Sequence, residues 1–79
     1  MLPIQCKMAR TALGLGVRDL ATRASVSPNT VARLERGEEL RSQTVELIRA
    51  ALESAGVEFI PENGSGAGVR LRKQQANLD

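Results

Sequence analysis

Apolar positions recur at helical spacing over the first two thirds of the chain and then switch, near residue 57, to alternation. Ile4, Met8 and Ala12 are spaced by four, with Ala9 and Leu13 beside them; this single apolar stripe predicts a first helix over Pro3 to Leu13 that packs through it. Pro3 suits a helix start and Gly14 a helix end. After the loop Gly14-Leu15-Gly16, with Leu15 turned inward, Val17 to Ala24 reads as a second short helix. Ser25-Val26-Ser27 separates it from a third, whose limits are marked at both ends. Ser27 is an N-cap, Pro28 takes the first helical position, Val26 and Val31 sit at the two positions of a hydrophobic staple, and Gly37 follows the last turn. Leu20, Val26, Val31 and Leu34 are spaced to form a core shared by helices two and three, with the small Ala21 where the helices cross. Glu38-Glu39-Leu40-Arg41 reads as a linker. Ser42 caps a fourth helix running to Ala55, whose stripe of Thr44, Leu47, Ile48, Ala51, Leu52 and Ala55 closes the core, and Gly56 stops it.

From Val57 onward the period is two. Val57 to Ile60 and Gly68 to Lys73 alternate as short strands around the turn-rich Pro61 to Ala67, which predicts a hairpin with a flexible tip. The organisation expected is therefore a helical domain over 1–56, a hairpin over 57–73 and a loose tail over 74–79, the last showing no periodicity. A lone two-stranded hairpin is marginal in water and needs a partner surface. It either packs on the helical domain through Phe59 or pairs its edge with a second copy, and the second option makes Val57, Phe59, Val69 and Leu71 a dimerisation element.

Two short helices joined by about three residues form a helix-turn-helix, and in that motif the second helix enters the major groove. The outer face of helix three carries Asn29, Arg33 and Arg36 at steps of four and three, together with Ser27 and Thr30; these are side-chain types that read base edges. The plainer reading is a polar outer face that touches nothing. Arg18, in the first turn of helix two, is either a phosphate ligand at a positive helix end or a solvated surface residue. Arg36, at the far end of helix three, suits a phosphate. Glu38 and Glu39 would repel a nucleic-acid backbone that came close, so their loop is expected to point away from it or to its margin. Arg70, Arg72 and Lys73 form either a solubilising strand edge or a contact to flanking phosphate.

These segments together resemble the lambda-repressor-like, or Xre-type, helix-turn-helix regulators over about residues 4 to 57. The resemblance is carried by Arg10, Leu20-Ala21, Val26-Ser27, Thr30-Val31, the run Leu34-Glu35-Arg36-Gly37, and Leu47, Ala50 and Leu52 of the later helix. It implies a mostly α fold, four helices of the lambda-repressor-like type with the C-terminal β-hairpin appended. It implies sequence-specific binding of double-stranded DNA by a transcriptional regulator, a repressor, acting as a homodimer in the cytoplasm of a bacterium or in a phage. The DNA-facing set it implies is Arg18, Ser27, Pro28, Asn29, Thr30, Arg33 and Arg36. It also implies that Arg10 pairs with Glu35 as a structural clamp, the alternative for Arg10 being a phosphate contact. Three positions depart from the family pattern: Val17 stands where Gln is frequent, Gly16 where Ser or Thr caps the second helix, and Ser25 where the turn glycine sits, so that a left-handed backbone there is strained. The rival function is an antitoxin, in which the tail or hairpin neutralises a toxin while the helix-turn-helix regulates the operon.

Composition narrows the classes further. The 79 residues suffice for one small domain, and with one Phe, no Tyr and no Trp its core must be aliphatic. The net charge of +2 is mild, with 8 basic and 7 acidic side chains over residues 1–60, so nucleic-acid binding is argued from where the charges sit and not from their sum. The single Cys6 leaves no disulfide framework, which is consistent with the cytosol, and reads as a packed small side chain before a redox or metal ligand. No apolar run reaches membrane-spanning length. The glycines at 64, 66 and 68 have neither the helix nor the lysine that a phosphate loop requires. With no His, one Cys and no carboxylate cluster at ligand spacing, the chain offers no nucleophile, general base, metal site or cofactor site, and the expectation is a non-enzyme.

Overall fold

The computed structural model describes residues 1–73; the tail expected over 74–79 lies outside the described residues. The elements are α1 (Pro3–Ala12), α2 (Val17–Ala24), α3 (Pro28–Glu35), α4 (Ser42–Ser54), β1 (Val57–Ile60) and β2 (Gly68–Leu71). The four helices wrap an aliphatic core of Leu20, Ala21, Ala24, Val31, Leu34, Ile48 and Leu52, to which α1 adds Cys6 and Ala9 and β1 adds Val57. Each fully buried aliphatic side chain there stabilises the fold by about 1.5–3 kcal/mol relative to an exposed position.

The ends of α2 and α3 follow local chemistry. Ser27 is the N-cap of α3 and its hydroxyl accepts from the Thr30 amide at 3.1 Å, with Pro28 next in the chain. Gly16 is the N-cap of α2, and because it has no side chain to offer, Asp19 reaches back to accept from the Gly16 amide at 2.8 Å. Ser25 ends α2 with φ 59 and ψ 40, a left-handed conformation that glycine adopts without cost and serine does not. Ala21 is 1 % exposed in the region where α2 and α3 pack, and Val26 packs against the same core.

The predicted face of α1 is rotated, and that of α4 loses one large member. The face α1 buries is not Ile4, Met8 and Ala12. It is Gln5, Cys6 and Ala9, while Ile4 is 55 % exposed and Ala12 is exposed. The reason is a polar anchor: the Gln5 carboxamide Nε2 donates to the Ile60 carbonyl at 3.0 Å and to the Gly68 carbonyl at 2.9 Å, and its Oε1 accepts from the Leu2 amide at 2.8 Å. Burying glutamine costs little when every polar atom is engaged, and once Gln5 faces the hairpin the stripe beside it turns to solvent. In α4, Ile48 and Leu52 are buried and Val45 packs against the core, whereas Leu47 is 49 % exposed. That helix begins at the expected cap itself: Ser42 is already helical, and Arg41 is the N-cap, with no side-chain bond to the helix end.

The hairpin pairs antiparallel with Val57 opposite Leu71 and Phe59 opposite Val69, so all four share one face. β2 ends at Leu71, two residues short of the predicted strand. The sheet packs on the helices of its own chain. Val57 is fully buried, Phe59 and Val69 lie against the core, and the Arg49 guanidinium of α4 sits over the Phe59 ring at 5.6 Å from its centroid. Three of the four residues proposed for a dimerisation face are therefore committed within the chain, and Leu71, 54 % exposed, is the one left outward. The Arg70 guanidinium pairs across the strands with Glu58 at 2.9 Å, and Arg72 reaches the Glu53 carbonyl at the end of α4 at 3.3 Å.

Gln5→Ala removes both tethers between α1 and the hairpin, two hydrogen bonds that the strand ladder does not replace. The expected outcome is a loss of about 1–3 kcal/mol in urea unfolding, with backbone amide exchange accelerating in β1 and β2 before it does in α3. Unchanged exchange in the strands would show that the carboxamide does not hold them.

Candidate nucleic-acid interface

α3 is eight residues long, too short to persist alone, so its outward face is positioned by what holds its inward one. Val31 and Leu34 anchor it to the core, at 0 % and 4 % exposure. At its last helical residue Glu35 turns back to α1. Arg10 Nε donates to Glu35 Oε2 and Arg10 Nη2 to Glu35 Oε1, both at 2.9 Å, a bidentate pair with side chains only 16 % and 11 % exposed. Arg10 Nη1 also donates to the Leu15 carbonyl at 3.2 Å, which ties in the loop before α2. The Cys6 thiol donates to Glu35 Oε2 at 3.4 Å. Burial pushes that thiol up to about 12, and the adjacent Glu35 carboxylate adds to the shift, so Cys6 is held as a neutral thiol.

The outward face carries Ser27, Pro28 and Asn29, all exposed, then Thr30 and Arg33, partly exposed, and Arg36 as the exposed C-cap. Ser27 and Thr30 are already bonded to each other, Oγ to Oγ1 at 2.9 Å. Arg18 lies exposed in the first turn of α2, next in the chain to the capping Asp19, and an acid three residues after an N-cap is the sequence signal for that cap.

The arginines of α3 are not free. Gly37, at φ 88, reverses the chain, and the Glu38 carboxylate comes back over the helix end, a contact that the reading of this loop as a linker did not include. Its Oε1 accepts from Arg33 Nε at 2.9 Å, and its Oε2 from Arg36 Nε at 3.2 Å and Nη2 at 2.8 Å. Hydrogen bonds from Arg33 and Arg36 hold that carboxyl below the usual carboxylate range. The signal was present in the sequence as an acid placed five and two residues after two arginines across a helix-ending glycine, a spacing that regular helical periodicity does not cover. Among the ion pairs of the described residues, none involves Arg18, Arg23 or Arg41.

A capped short helix set by a bidentate clamp behind a second short helix, its polar face turned outward, is the architecture of a helix-turn-helix DNA-binding domain. The sequence model of the family described as helix-turn-helix matches residues 7–59, and the chain belongs to that family, in its lambda-repressor-like, Xre-type form. No curated protein matches the chain. Membership makes it a DNA-binding domain of the kind used in transcription regulation. Among the described residues no helix is long and apolar enough to cross a membrane.

Burial pushes the Glu35 carboxyl up, and the bonds from Arg10 and Cys6 with the charges of Arg10 and Lys7 outweigh it, leaving the group below its ordinary 4.5. A carboxyl lowered on folding stabilises the native state fully above its ordinary value and loses that contribution as pH falls through the lowered one. Native stability is therefore expected to decline as pH falls below about 4.5, and in Glu35→Gln to be lower at neutral pH and flatter over the acid range, read from urea midpoints at stepped pH. Parallel acid curves for the two proteins would contradict the role of this carboxylate.

Proposed function

We propose that the chain is a sequence-specific transcriptional regulator, a repressor, that reads duplex DNA as a homodimer in the bacterial cytoplasm. α3 lies in the major groove with Asn29, Thr30 and Arg33 at base edges and Ser27 and Pro28 where the helix enters, while Arg18 and Arg36 meet phosphates. The observation that carries this reading is the outward, polar, rigidly mounted face of α3: its base-reading side chains point to solvent while Glu35 locks the opposite side to α1.

The second copy follows from footprint. Single DNA-binding modules cover about 600–1,000 Å² of protein surface, and paired half-sites supply the remaining affinity. The surface available to a partner copy is Leu71 together with Ile4, Met8 and Ala12, an apolar strip that the rotation of α1 leaves outward, and Ala12 borders the surface depressions on both sides. A strip of this kind, two of whose members are more than half exposed, is the feature by which soluble proteins meet partners.

Selection of bound sequences from a random duplex pool is expected to return a two-fold symmetric site, and Arg33→Ala to weaken binding to it by about 1–3 kcal/mol with relaxed preference at one base pair per half-site. A pool that shows no enrichment would overturn the reading. Leu71→Glu is expected to convert a dimer to a monomer in sedimentation equilibrium with the melting temperature unchanged; a dimer that persists would place the interface elsewhere.

A further inference from the structure

We infer that Glu38 is an intramolecular stand-in for a DNA phosphate, which holds Arg33 and Arg36 against non-specific duplex and so sharpens the sequence discrimination of α3. The inference rests on the DNA-reading role of α3 proposed above and adds to it a residue that touches no DNA.

The geometry is that of an anion site already filled. One carboxylate accepts three N–H bonds from two guanidiniums, one from Arg33 at 2.9 Å on one oxygen and two from Arg36 at 3.2 and 2.8 Å on the other; arginine gives such charge-assisted bonds to carboxylate and phosphate alike. The backbone that carries the carboxylate is tied to the helix end, because the Glu38 amide donates to the Arg33 carbonyl at 3.0 Å across the Gly37 turn. The helix itself gives no reason for an acid there: the C-terminal end of α3 carries partial negative charge, and a carboxylate beside it is the wrong sign. Nor does packing, since the side chains of Arg33, Arg36 and Glu38 are 41 %, 57 % and 45 % exposed. Glu35, three residues earlier and on the inner side, already anchors the helix to α1. What remains for Glu38 is to reduce two cationic charges to one at the C-terminal end of the recognition helix.

A phosphate must displace this carboxylate before it can take the guanidiniums of Arg33 and Arg36. Backbone contacts alone exchange one anion for another and gain little. Among the described residues Glu38 bonds Arg33 through Nε alone, so a base edge is taken by the terminal nitrogens of that guanidinium with the carboxylate still in place. Binding to arbitrary sequence is thus suppressed more than binding to the true site.

Glu38→Gln keeps the shape and removes the charge. Affinity and its salt dependence are measured by fluorescence anisotropy on a mixed-sequence duplex and on the duplex selected from the pool, with Glu39→Gln, the neighbouring exposed acid, as a matched loss of one negative charge. The expected result for Glu38→Gln is about three- to tenfold tighter binding to the mixed duplex at low salt, a slope of log affinity against log salt steeper by about one, and a discrimination ratio reduced by a similar factor. The melting temperature stays at the wild-type value, and Glu39→Gln shows a smaller gain. Weaker or unchanged binding to the mixed duplex in Glu38→Gln, with wild type still selecting its site, would overturn the inference alone. An equal gain in Glu39→Gln would also overturn it, by assigning the effect to the general field. Wild-type protein that binds neither duplex would bring down the DNA-reading role itself.

Discussion

The ion pair between Arg10 and Glu35 sets the orientation of everything that faces outward on α3. Removing two charges from most of their water is costly, and the cost is offset only when every hydrogen-bonding position is filled. Here the carboxylate takes two N–H bonds from one guanidinium and a thiol besides, while the same guanidinium reaches the Leu15 carbonyl. Apolar packing by Val31 and Leu34 would hold the helix close without fixing its rotation about its own axis, because dispersion contacts are non-directional. A bidentate pair fixes that rotation. The angular placement of Asn29 and Arg33 depends on it more than on any property of those residues.

α3 thus carries an acid at its last residue and another just past its end, and the two have opposite tasks. Glu35 faces inward among α1 side chains and sets geometry. Glu38 faces outward among arginines and sets charge. Their positions relative to Gly37 account for the division: a residue before the turn continues the helical arc toward α1, and a residue after it is thrown back over the outer face.

The helix-turn-helix was legible in the sequence because its determinants are local. Caps, a proline at the first helical position and a glycine after the last turn act within one turn of the chain, and they marked α3 without reference to anything distant; α2 was read from its place three residues before them. The strands were legible as a change of period. The orientation of α1 was not, because two registers of apolar residues were available and the choice between them was made by Gln5, whose acceptors are 55 and 63 residues away. Leu47 was misplaced for a similar reason: α4 is apolar around more of its circumference than it buries, and only the position of the hairpin and α2 decides which part is covered. At the interface, the residue types of α3 pointed to base reading, but the acid that occupies Arg33 and Arg36 depends on a left-handed turn whose effect on a side chain's direction periodicity does not capture.

The tether from Gln5 to both strands joins the two extremities of the described chain. The helical segment that the family shares begins after Gln5 and stops before β2, yet the core it encloses is sealed by Val57, whose strand is held in place by those outlying pieces. Cutting the domain at the borders of that shared segment would open its floor. A graft of this reading head onto another scaffold must therefore carry along the N-terminal turn and the returning strand, which work like the two halves of a clasp.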